Sequence, residues 1–170
     1  MAKQLGVYAG SFDPPTSGHL WMIEQGAGLF DKLIVALGIN PGKRYLFSVE
    51  DRFEMIREST AHLPNVAVQS FTNQFLINFA GSVGAHFILR GIRSESDYEQ
   101  ERTMRNVNGD FDPGITTVFL IPPRGIAEVS SSMVKGLVGP DGWEDIVKGY
   151  VTPVVFEKLK EAHGHKRAQE

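Results

Sequence analysis

The fold is decided by one early stretch of the sequence, VYAGSFDPPTSGHL, which occupies residues 7–20. Its apolar start predicts a strand, Gly10 and the two prolines predict a turn, and Thr16 is placed to cap a helix. Such a junction leaves backbone N–H groups unpaired at the positive end of a helix dipole, so an anion such as a phosphate can bind there. The hydroxyls of Ser11 and Thr16 and the imidazole of His19 are expected to face the same place.

The same features also have a purely structural interpretation. Thr16 can serve only as a helix cap, and a single histidine such as His19 in a first helical turn is often a solvated surface residue. Motifs of this length recur by chance. The case for a phosphate site therefore depends on residues elsewhere in the chain.

The composition is that of a soluble globular protein. Hydrophobic residues make up 42% and charged residues 22% of the 170 residues, a length that suits one compact domain. We expect this domain to cover residues 1–162 and the polar tail at 163–170 to be disordered. The formal net charge of -3 argues against a general binder of nucleic acids or membrane surfaces.

The sequence contains no cysteine, which excludes a disulfide framework, thiolate metal sites and a cysteine nucleophile. Residues 1–5 lack the apolar core of a signal peptide, and no apolar run approaches the length needed to span a membrane. These features favour a cytoplasmic location.

Strand-like and helix-like segments alternate along the chain. After the first strand, short apolar runs predict strands at 33–37, 66–68, 86–89 and 116–121. Apolar spacing and capping residues predict helices at 20–30, 49–56, 75–79 and 97–108, and a further helix that begins at Ser130. This alternation predicts an α/β fold with a doubly wound, parallel, five-stranded sheet.

Polar groups follow the ends of several predicted strands. They are Gly10 and Ser11 after the first strand, residues 40–43 after the second, 90–93 after the fourth and 130–132 beyond the fifth. Each group has an ordinary explanation, because arginines and lysines cover surfaces and serines cap helices. Ligands of parallel sheets bind beyond the carboxyl ends of the strands. The joint placement of these groups at one sheet edge therefore favours a phosphate-binding site.

These motifs resemble those of the bacterial phosphopantetheine adenylyltransferase family, in the nucleotidyltransferase superfamily. Thr16 to His19 matches the TxGH form of the superfamily's HxGH signature, and the segments NPGK (40–43), RGIR (90–93), DYEQE (97–101) and VSSSMVK (129–135) follow in the family's order. The resemblance covers residues 5–159. It implies a Rossmann-like fold and transfer of the adenylyl group of ATP to 4'-phosphopantetheine, giving dephospho-coenzyme A and pyrophosphate. The implied mechanism is in-line attack on the α-phosphorus without a covalent intermediate.

The resemblance also implies which residues form the site. His19, Lys43 and Arg90 are expected to be catalytic, His19 by stabilising the transition state and the other two by holding the phosphate of phosphopantetheine. The expected ATP-binding residues are Ser11, Phe12, His19, Gly91, Ile92, Arg93, Glu101, Ile126, Ala127, Glu128, Val129, Ser130, Ser131 and Ser132. The expected phosphopantetheine-binding residues are Ser11, Lys43, Leu76 and Arg90.

We expect Mg²⁺ to accompany ATP, because a divalent ion neutralises phosphate charge and keeps several waters. The sequence shows no metal-ligand cluster of its own, so no protein metal site is expected. The resemblance further implies a homohexamer, and it leaves feedback binding of coenzyme A open.

Two other functions remain open at this point. One is a different enzyme of the superfamily, such as a nicotinate-mononucleotide adenylyltransferase or a cytidylyltransferase; the TxGH, RGIR and DYEQE segments favour phosphopantetheine instead. The other is a nucleotide-binding regulatory module without catalysis, which the joint presence of His19, Lys43 and Arg90 opposes. The motifs GxxxxGK[ST] and GxGxxG of Walker-type ATPases and dinucleotide-binding dehydrogenases are absent.

The sequence departs from the family's pattern at three places. Ser11 stands where the family often has threonine, which keeps the hydroxyl. Gly109 stands where the family has arginine, so a basic contact is either missing or supplied by Arg102 or Arg105. The connection at 139–153 is a few residues longer than usual.

Overall fold

The structure is a computed structural model that describes residues 4–167. The strands are β1 (Leu5–Gly10), β2 (Lys32–Ile39), β3 (Val66–Thr72), β4 (Phe87–Gly91) and β5 (Thr116–Leu120). The helices are α1 (Ser17–Leu29), α2 (Val49–Ser59), α3 (Leu76–Ser82), α4 (Glu95–Phe111), α5 (Arg124–Ala127), α6 (Ser131–Leu137), α7 (Trp143–Val147) and α8 (Pro153–Arg167).

The five strands form one parallel sheet in the order β3-β2-β1-β4-β5. Strand β1 lies at its centre, with Val7 opposite Ile34 of β2 and Ile88 of β4. The predicted five-stranded α/β fold is therefore confirmed. Because all carboxyl ends lie at one edge, the turns that follow β1, β2 and β4 come together there.

Both faces of the sheet are buried, because alternate side chains of a strand point to opposite faces. One face contributes Tyr8, Leu33, Val35, Leu37 and Leu89, which pack with Met22 and Ile23 of α1 and Ile56 of α2. The other contributes Val7, Ala9, Ile34, Ala36 and Ile88, which pack with Ile77 and Ala80 of α3. Burial on both faces explains why β1 and β2 are continuous apolar runs.

A third apolar cluster joins the C-terminal helices to α2. Met55 of α2 and Phe47 pack with apolar residues of α6, α7 and α8, namely Val134, Trp143, Val147, Val155 and Leu159. Helices α5, α7 and α8 are not among the predicted elements. Helices α5 and α7 have only four and five residues, whereas α8 has 15 residues and carries the buried Val155 and Leu159 at helical spacing.

Two boundary predictions differ from the structure for identifiable reasons. Strand β3 continues past residue 68 to Thr72, because β2 pairs with it as far as Ile39 even where its side chains are polar. Helix α8 continues through Arg167, so residues 163–167 are helical rather than disordered as expected. The His163 ring packs edge-on against Trp143, with 5.7 Å between ring centroids. Residues 168–170 of the predicted tail lie outside the described residues.

Within residues 4–167, none of the helices combines the length and the apolar character needed to cross a lipid bilayer.

Candidate active site

A cavity of about 420 Å³ lies beyond the carboxyl ends of β1 and β4, within the size range of small-molecule sites. Strands β1 and β4, helices α1 and α4, and the segment 122–132 form its walls. The lining residues are Tyr8, Ala9, Gly10, Gly18, His19, Met22, Arg90, Gly91, Arg93, Asp97, Gln100, Glu101, Pro122, Ile126, Val129, Ser130, Ser131 and Ser132. The cavity therefore brings together the ends of β1 and β4 and the serine run at 130–132.

Helix α1 begins with a capping box in which histidine takes the usual place of glutamate. The Thr16 side chain accepts a hydrogen bond from the backbone N–H of His19, and the Thr16 backbone N–H donates to Nδ1 of His19 at 3.1 Å. The Thr16 hydroxyl also lies 2.9 Å from Nδ1. The spacing Thr-x-x-His therefore fixes the position of the imidazole at the helix N-terminus.

This capping box also fixes the tautomer of His19. A backbone N–H can only donate, so Nδ1 must be the acceptor and the proton of the neutral ring lies on Nε2. Burial, together with the positive charge of Arg93, lowers the pKa of His19 from 6.5 to about 4. At neutral pH the cavity therefore contains an uncharged imidazole with a single N–H donor.

Arg90, at the end of β4, is held by a two-pronged ion pair with Glu101 of α4. Its Nε donates to Glu101 Oε2 at 2.8 Å, Nη2 pairs with Glu101 Oε1, and Nη1 donates to the carbonyl oxygen of Ala9 at 3.2 Å. Burial disfavours the charged guanidinium and by itself lowers the pKa of Arg90. The hydrogen bonds to Glu101 and its negative charge have the larger combined effect, so the pKa of Arg90 lies above its usual value. Arg90 is therefore a fixed positive charge between β1 and β4.

Arg93 is held in a similar way by Asp97, the third residue of α4. Its Nε donates to Asp97 Oδ2 at 3.0 Å. Between the two arginines, Gly91 allows a close approach, because a Cβ atom there would lie 3.2 Å from the sulfur of Met22. The two arginines thus line one wall of the cavity, across from helix α1.

The opposite side of the cavity is formed where α1 meets residues 126–132. A Cβ atom on Gly18 would lie 3.1 Å from the carbonyl oxygen of Val129, so glycine permits the contact between the two segments. Ser130 caps α6 by accepting a hydrogen bond from the N–H of Met133, and the hydroxyl of Ser131 donates to the carbonyl oxygen of Pro14 at 2.8 Å. The serine run therefore ties α6 to the turn after β1.

Asp13 is a buried carboxylate in that turn, and its role is not predicted by the sequence pattern. Its side chain, 4% exposed, accepts hydrogen bonds from the backbone N–H groups of Leu46 and Phe47 and from Nζ of Lys135 at 2.9 Å. Three separated segments of the chain meet at this one group. Asp13 therefore links the turn after β1 to the segment before α2 and to α6.

Tyr8 is a further cavity residue whose place in the site is not predicted by the sequence pattern. Burial raises the pKa of its hydroxyl to about 12, although Arg90 and Arg93 oppose the shift. Tyr8 is thus an uncharged phenol at physiological pH. Met22, Asp97, Gln100 and Pro122 also line the cavity without having been selected, although the DYEQE segment contains two of them.

Several predicted site residues do not line the cavity. Lys43 is exposed on the turn after β2, where its N–H donates to the carbonyl oxygen of Asn40 at 3.0 Å. Phe12 is buried and packs edge-on against His19, with 5.1 Å between ring centroids. The others that do not line it are Ser11, Leu76, Ile92, Ala127 and Glu128.

Two of the three departures from the family pattern, Gly109 and the connection at 139–153, do not line the cavity. A Cβ atom on Gly109 would meet open space, and Arg105 bonds to the side chain of its neighbour Asn106. Neither Arg102 nor Arg105 lines the cavity. The longer connection at 139–153 contains α7 and leads into α8, whose residues belong to the third apolar cluster.

Comparisons with known proteins identify relatives of this chain. A family model described as cytidylyltransferase-like matches residues 7–137. A protein of Neisseria meningitidis serogroup C named phosphopantetheine adenylyltransferase is 58% identical over 159 residues, which is 94% of each chain. A protein of the same name from Chromobacterium violaceum is 58% identical over 153 residues, covering 90% of this chain and 93% of the relative.

Solved structures share the fold at low sequence identity. A Plasmodium falciparum nicotinic acid mononucleotide adenylyltransferase superposes with a TM-score of 0.70 at 14% identity, over 94% of this chain and 95% of the other. A Vibrio parahaemolyticus protein described as a putative nicotinate-nucleotide adenylyltransferase gives 0.64 at 16% identity, over 95% and 94%. These likenesses establish the fold alone.

We expect Asp13→Ala to lower the free energy of unfolding by about 3–5 kcal/mol, because it leaves two backbone N–H groups and the Lys135 ammonium without their acceptor. Urea unfolding followed by circular dichroism measures this loss. The matched control is Asp145→Ala, which removes an exposed aspartate bonded to Lys148 and is expected to have no measurable effect. Equal stability of the two variants would contradict the structural role of Asp13.

We expect His19 to remain neutral, with its proton on Nε2, throughout the physiological pH range. Long-range ¹H–¹⁵N NMR spectra distinguish the two ring tautomers, and the His19→Asn variant assigns the signal. The titration midpoint should lie near the pKa of about 4 rather than at 6.5. Because the unfolded chain takes up this proton at higher pH than the folded one, stability should fall as the pH drops from 6.5 towards 4. A midpoint at 6.5 would contradict the burial of the ring, and a proton on Nδ1 of the neutral ring would contradict the capping-box geometry.

Proposed function

This chain belongs to the phosphopantetheine adenylyltransferase family, and we propose that it transfers the adenylyl group of ATP to 4'-phosphopantetheine in the cavity beyond β1 and β4. The products are dephospho-coenzyme A and pyrophosphate, a step of coenzyme A biosynthesis. A phosphate oxygen of the acceptor forms a bond to the α-phosphorus of ATP while the bond to pyrophosphate breaks. No covalent enzyme intermediate is needed, because the acceptor phosphate is itself the nucleophile.

The observation that carries the proposal is the state of His19. Its Nε2–H is a preorganised donor at the N-terminus of α1, and Arg90 and Arg93 line the same cavity. Fixed donors of this kind stabilise the negative charge on a pentacoordinate phosphorus and on departing pyrophosphate. His19 is not needed as a base, since the acceptor phosphate is already ionised at neutral pH.

We assign different roles to the two members of the Arg90–Glu101 pair. Arg90 faces the phosphates and supplies positive charge. Both oxygens of Glu101 are occupied by the guanidinium of Arg90, so Glu101 contributes by orienting Arg90. The same reasoning makes Asp97 the residue that orients Arg93.

We assign binding of the acceptor to the neighbouring turns. Lys43 follows β2 and Ser11 follows β1, and these adjacent strands pair along their length. An exposed ammonium on the Lys43 turn can reach a phosphate that lies at the mouth of the cavity. Leu76, at the start of α3, is proposed to contact the apolar arm of phosphopantetheine.

We propose that Mg²⁺ enters with ATP. Among the described residues, no group of three or more carboxylate, histidine or cysteine side chains could hold a metal ion. The carboxylates of Asp97 and Glu101 that line the cavity are bonded to arginines. This donor set fits an ion held by phosphates and water, whose charge would neutralise the phosphates.

We further propose a cytoplasmic homohexamer that binds coenzyme A as a feedback ligand. Helix α4 leaves Met104, Val107 and Phe111 exposed by 51%, 41% and 63%, an apolar stripe that suits contacts between subunits. Coenzyme A carries the same adenosine and pantetheine groups as the product, so it would compete for the same cavity. The absence of cysteines from the sequence suits a reducing compartment without requiring one.

We expect pyrophosphate release from ATP and Mg²⁺ with 4'-phosphopantetheine, and none with nicotinate mononucleotide or from CTP with glycerol 3-phosphate. His19→Ala should lower kcat by about 10²–10³-fold, because it removes a donor to the transition state. The control is His62→Ala, which changes an exposed histidine paired with Glu24. Release with another substrate pair would reassign the acceptor, and normal turnover of a folded His19→Ala variant would remove His19 from the mechanism.

We expect Lys43→Ala to raise the KM for 4'-phosphopantetheine about tenfold or more and to lower kcat, since a charged hydrogen bond to the phosphate is lost. The KM for ATP should change little. Lys32→Ala is the matched control, because it removes an exposed lysine at the opposite end of the same strand, β2. Normal acceptor affinity and rate in Lys43→Ala would refute the assignment.

A further inference from the structure

Arg52 of α2 is a fully buried arginine, with 1% of its surface exposed. Among residues 4–167, no carboxylate lies within ion-pair distance of its guanidinium. Its partners are instead two carbonyl oxygens and one aromatic ring. Nη1 donates to the carbonyl oxygen of Ser11 at 2.8 Å, Nε donates to that of Ser48 at 3.2 Å, and Cζ lies 4.0 Å from the centre of the Tyr45 ring. Removing a charged guanidinium from water costs free energy, and an arginine is rarely buried without a carboxylate partner. The burial of Arg52 therefore indicates a role other than covering the protein surface.

The first consequence concerns the peptide between Ser11 and Phe12. In a trans peptide the C=O and the following N–H point in opposite directions. By holding the Ser11 carbonyl oxygen, Arg52 directs the N–H of Phe12 away from itself. Phe12 has a φ of 49°, which is rare for a residue other than glycine, and within the described chain its N–H donates to no protein acceptor.

The second consequence concerns the turn that carries Lys43. Tyr45 stacks on Arg52, and its hydroxyl accepts a hydrogen bond from the N–H of Asn40 at 3.0 Å. Asn40 in turn organises the turn, because its side-chain oxygen accepts from the N–H of Gly42 and its carbonyl oxygen from the N–H of Lys43. A continuous path of contacts therefore joins Ser11 to Lys43 through Arg52.

We propose that Arg52 is a positioning residue, which sets the Ser11 turn and the Lys43 turn at the distance that the phosphate of the acceptor requires. The proposal rests on the assignment of Ser11 and Lys43 to that phosphate. A single planar guanidinium holds the Ser11 carbonyl oxygen and stacks on the Tyr45 ring at once, which the point charge of lysine does not do. Its positive charge, without a carboxylate beside it, also favours an anion bound at these turns.

The test compares steady-state kinetics of Tyr45→Phe, Arg52→Lys and Arg57→Lys. Tyr45→Phe keeps the ring on Arg52 and removes only the acceptor of the Asn40 N–H. We expect it to raise the KM for 4'-phosphopantetheine about fivefold to tenfold and to leave the KM for ATP unchanged. Arg52→Lys should lower kcat/KM for the acceptor by about 10–100-fold. Arg57→Lys, on the exposed side of the same helix, should match the unchanged protein.

A purely structural role for Arg52 gives a different result. Activity would then follow the folded fraction measured by circular dichroism and recover on cooling, so that the apparent kcat falls while both KM values stay unchanged. That result would overturn the proposal. If Arg52→Lys does not fold, Tyr45→Phe decides alone, and an unchanged acceptor KM in that variant also overturns it.

A double-mutant cycle separates this proposal from the proposed function. In the Lys43→Ala background, Tyr45→Phe should have no further effect on the acceptor KM, because the Tyr45 hydroxyl acts through the Lys43 turn. If Lys43→Ala alone leaves that KM unchanged, the assignment of Lys43 fails and this proposal fails with it. If Lys43→Ala raises the KM but Tyr45→Phe does not, only the positioning role of Arg52 is refuted.

Discussion

The structure of the site depends on the buried carboxylate of Asp13. It lies between the central strand β1 and helix α1, and it binds the N–H groups of Leu46 and Phe47 and the ammonium of Lys135. These partners belong to two other parts of the chain, the segment at 46–47 and helix α6. The carboxylate therefore brings the segment before α2 and the last turn of α6 against the turn after β1. Because a buried charge is stable only when its partners are in place, the site and the fold around it form together.

The N-terminal capping box of helix α1 has both a structural and a chemical role. A capping box ordinarily uses glutamate to satisfy the first N–H groups of a helix. Here Nδ1 of His19 accepts from the N–H of Thr16, so the cap also selects the ring tautomer that leaves Nε2 protonated. Gly18, between them, admits the carbonyl oxygen of Val129 at close range. The spacing Thr-x-Gly-His therefore has a physical reason at each of its three fixed positions.

The strands, and the sheet edge at which the cavity lies, could be predicted because a strand that is buried on both faces is a continuous run of apolar residues. The apolar runs at 33–37 and 86–89 and the polar residues that follow each strand carried that information. Other features depend on partners that the sequence does not reveal. Asp13 binds backbone N–H groups 33 and 34 residues away, Arg52 looks like a surface residue of a helix, and α8 is extended by packing on Trp143. The roles of all the predicted site residues stay predictions, and two of these residues, Lys43 and Leu76, do not line the cavity.

The tautomer of His19 bears on how the catalyst is restored after each turnover. Under the proposed mechanism no side chain gains or loses a proton and none forms a bond to phosphorus. The protein that releases dephospho-coenzyme A and pyrophosphate is therefore chemically identical to the one that bound ATP. No regeneration step separates one cycle from the next. The same fixed donors serve pyrophosphate attack on dephospho-coenzyme A, with the attacking and leaving oxygens exchanged. The direction of net flux is then set by substrate concentrations, above all by removal of pyrophosphate, and not by any asymmetry in the enzyme.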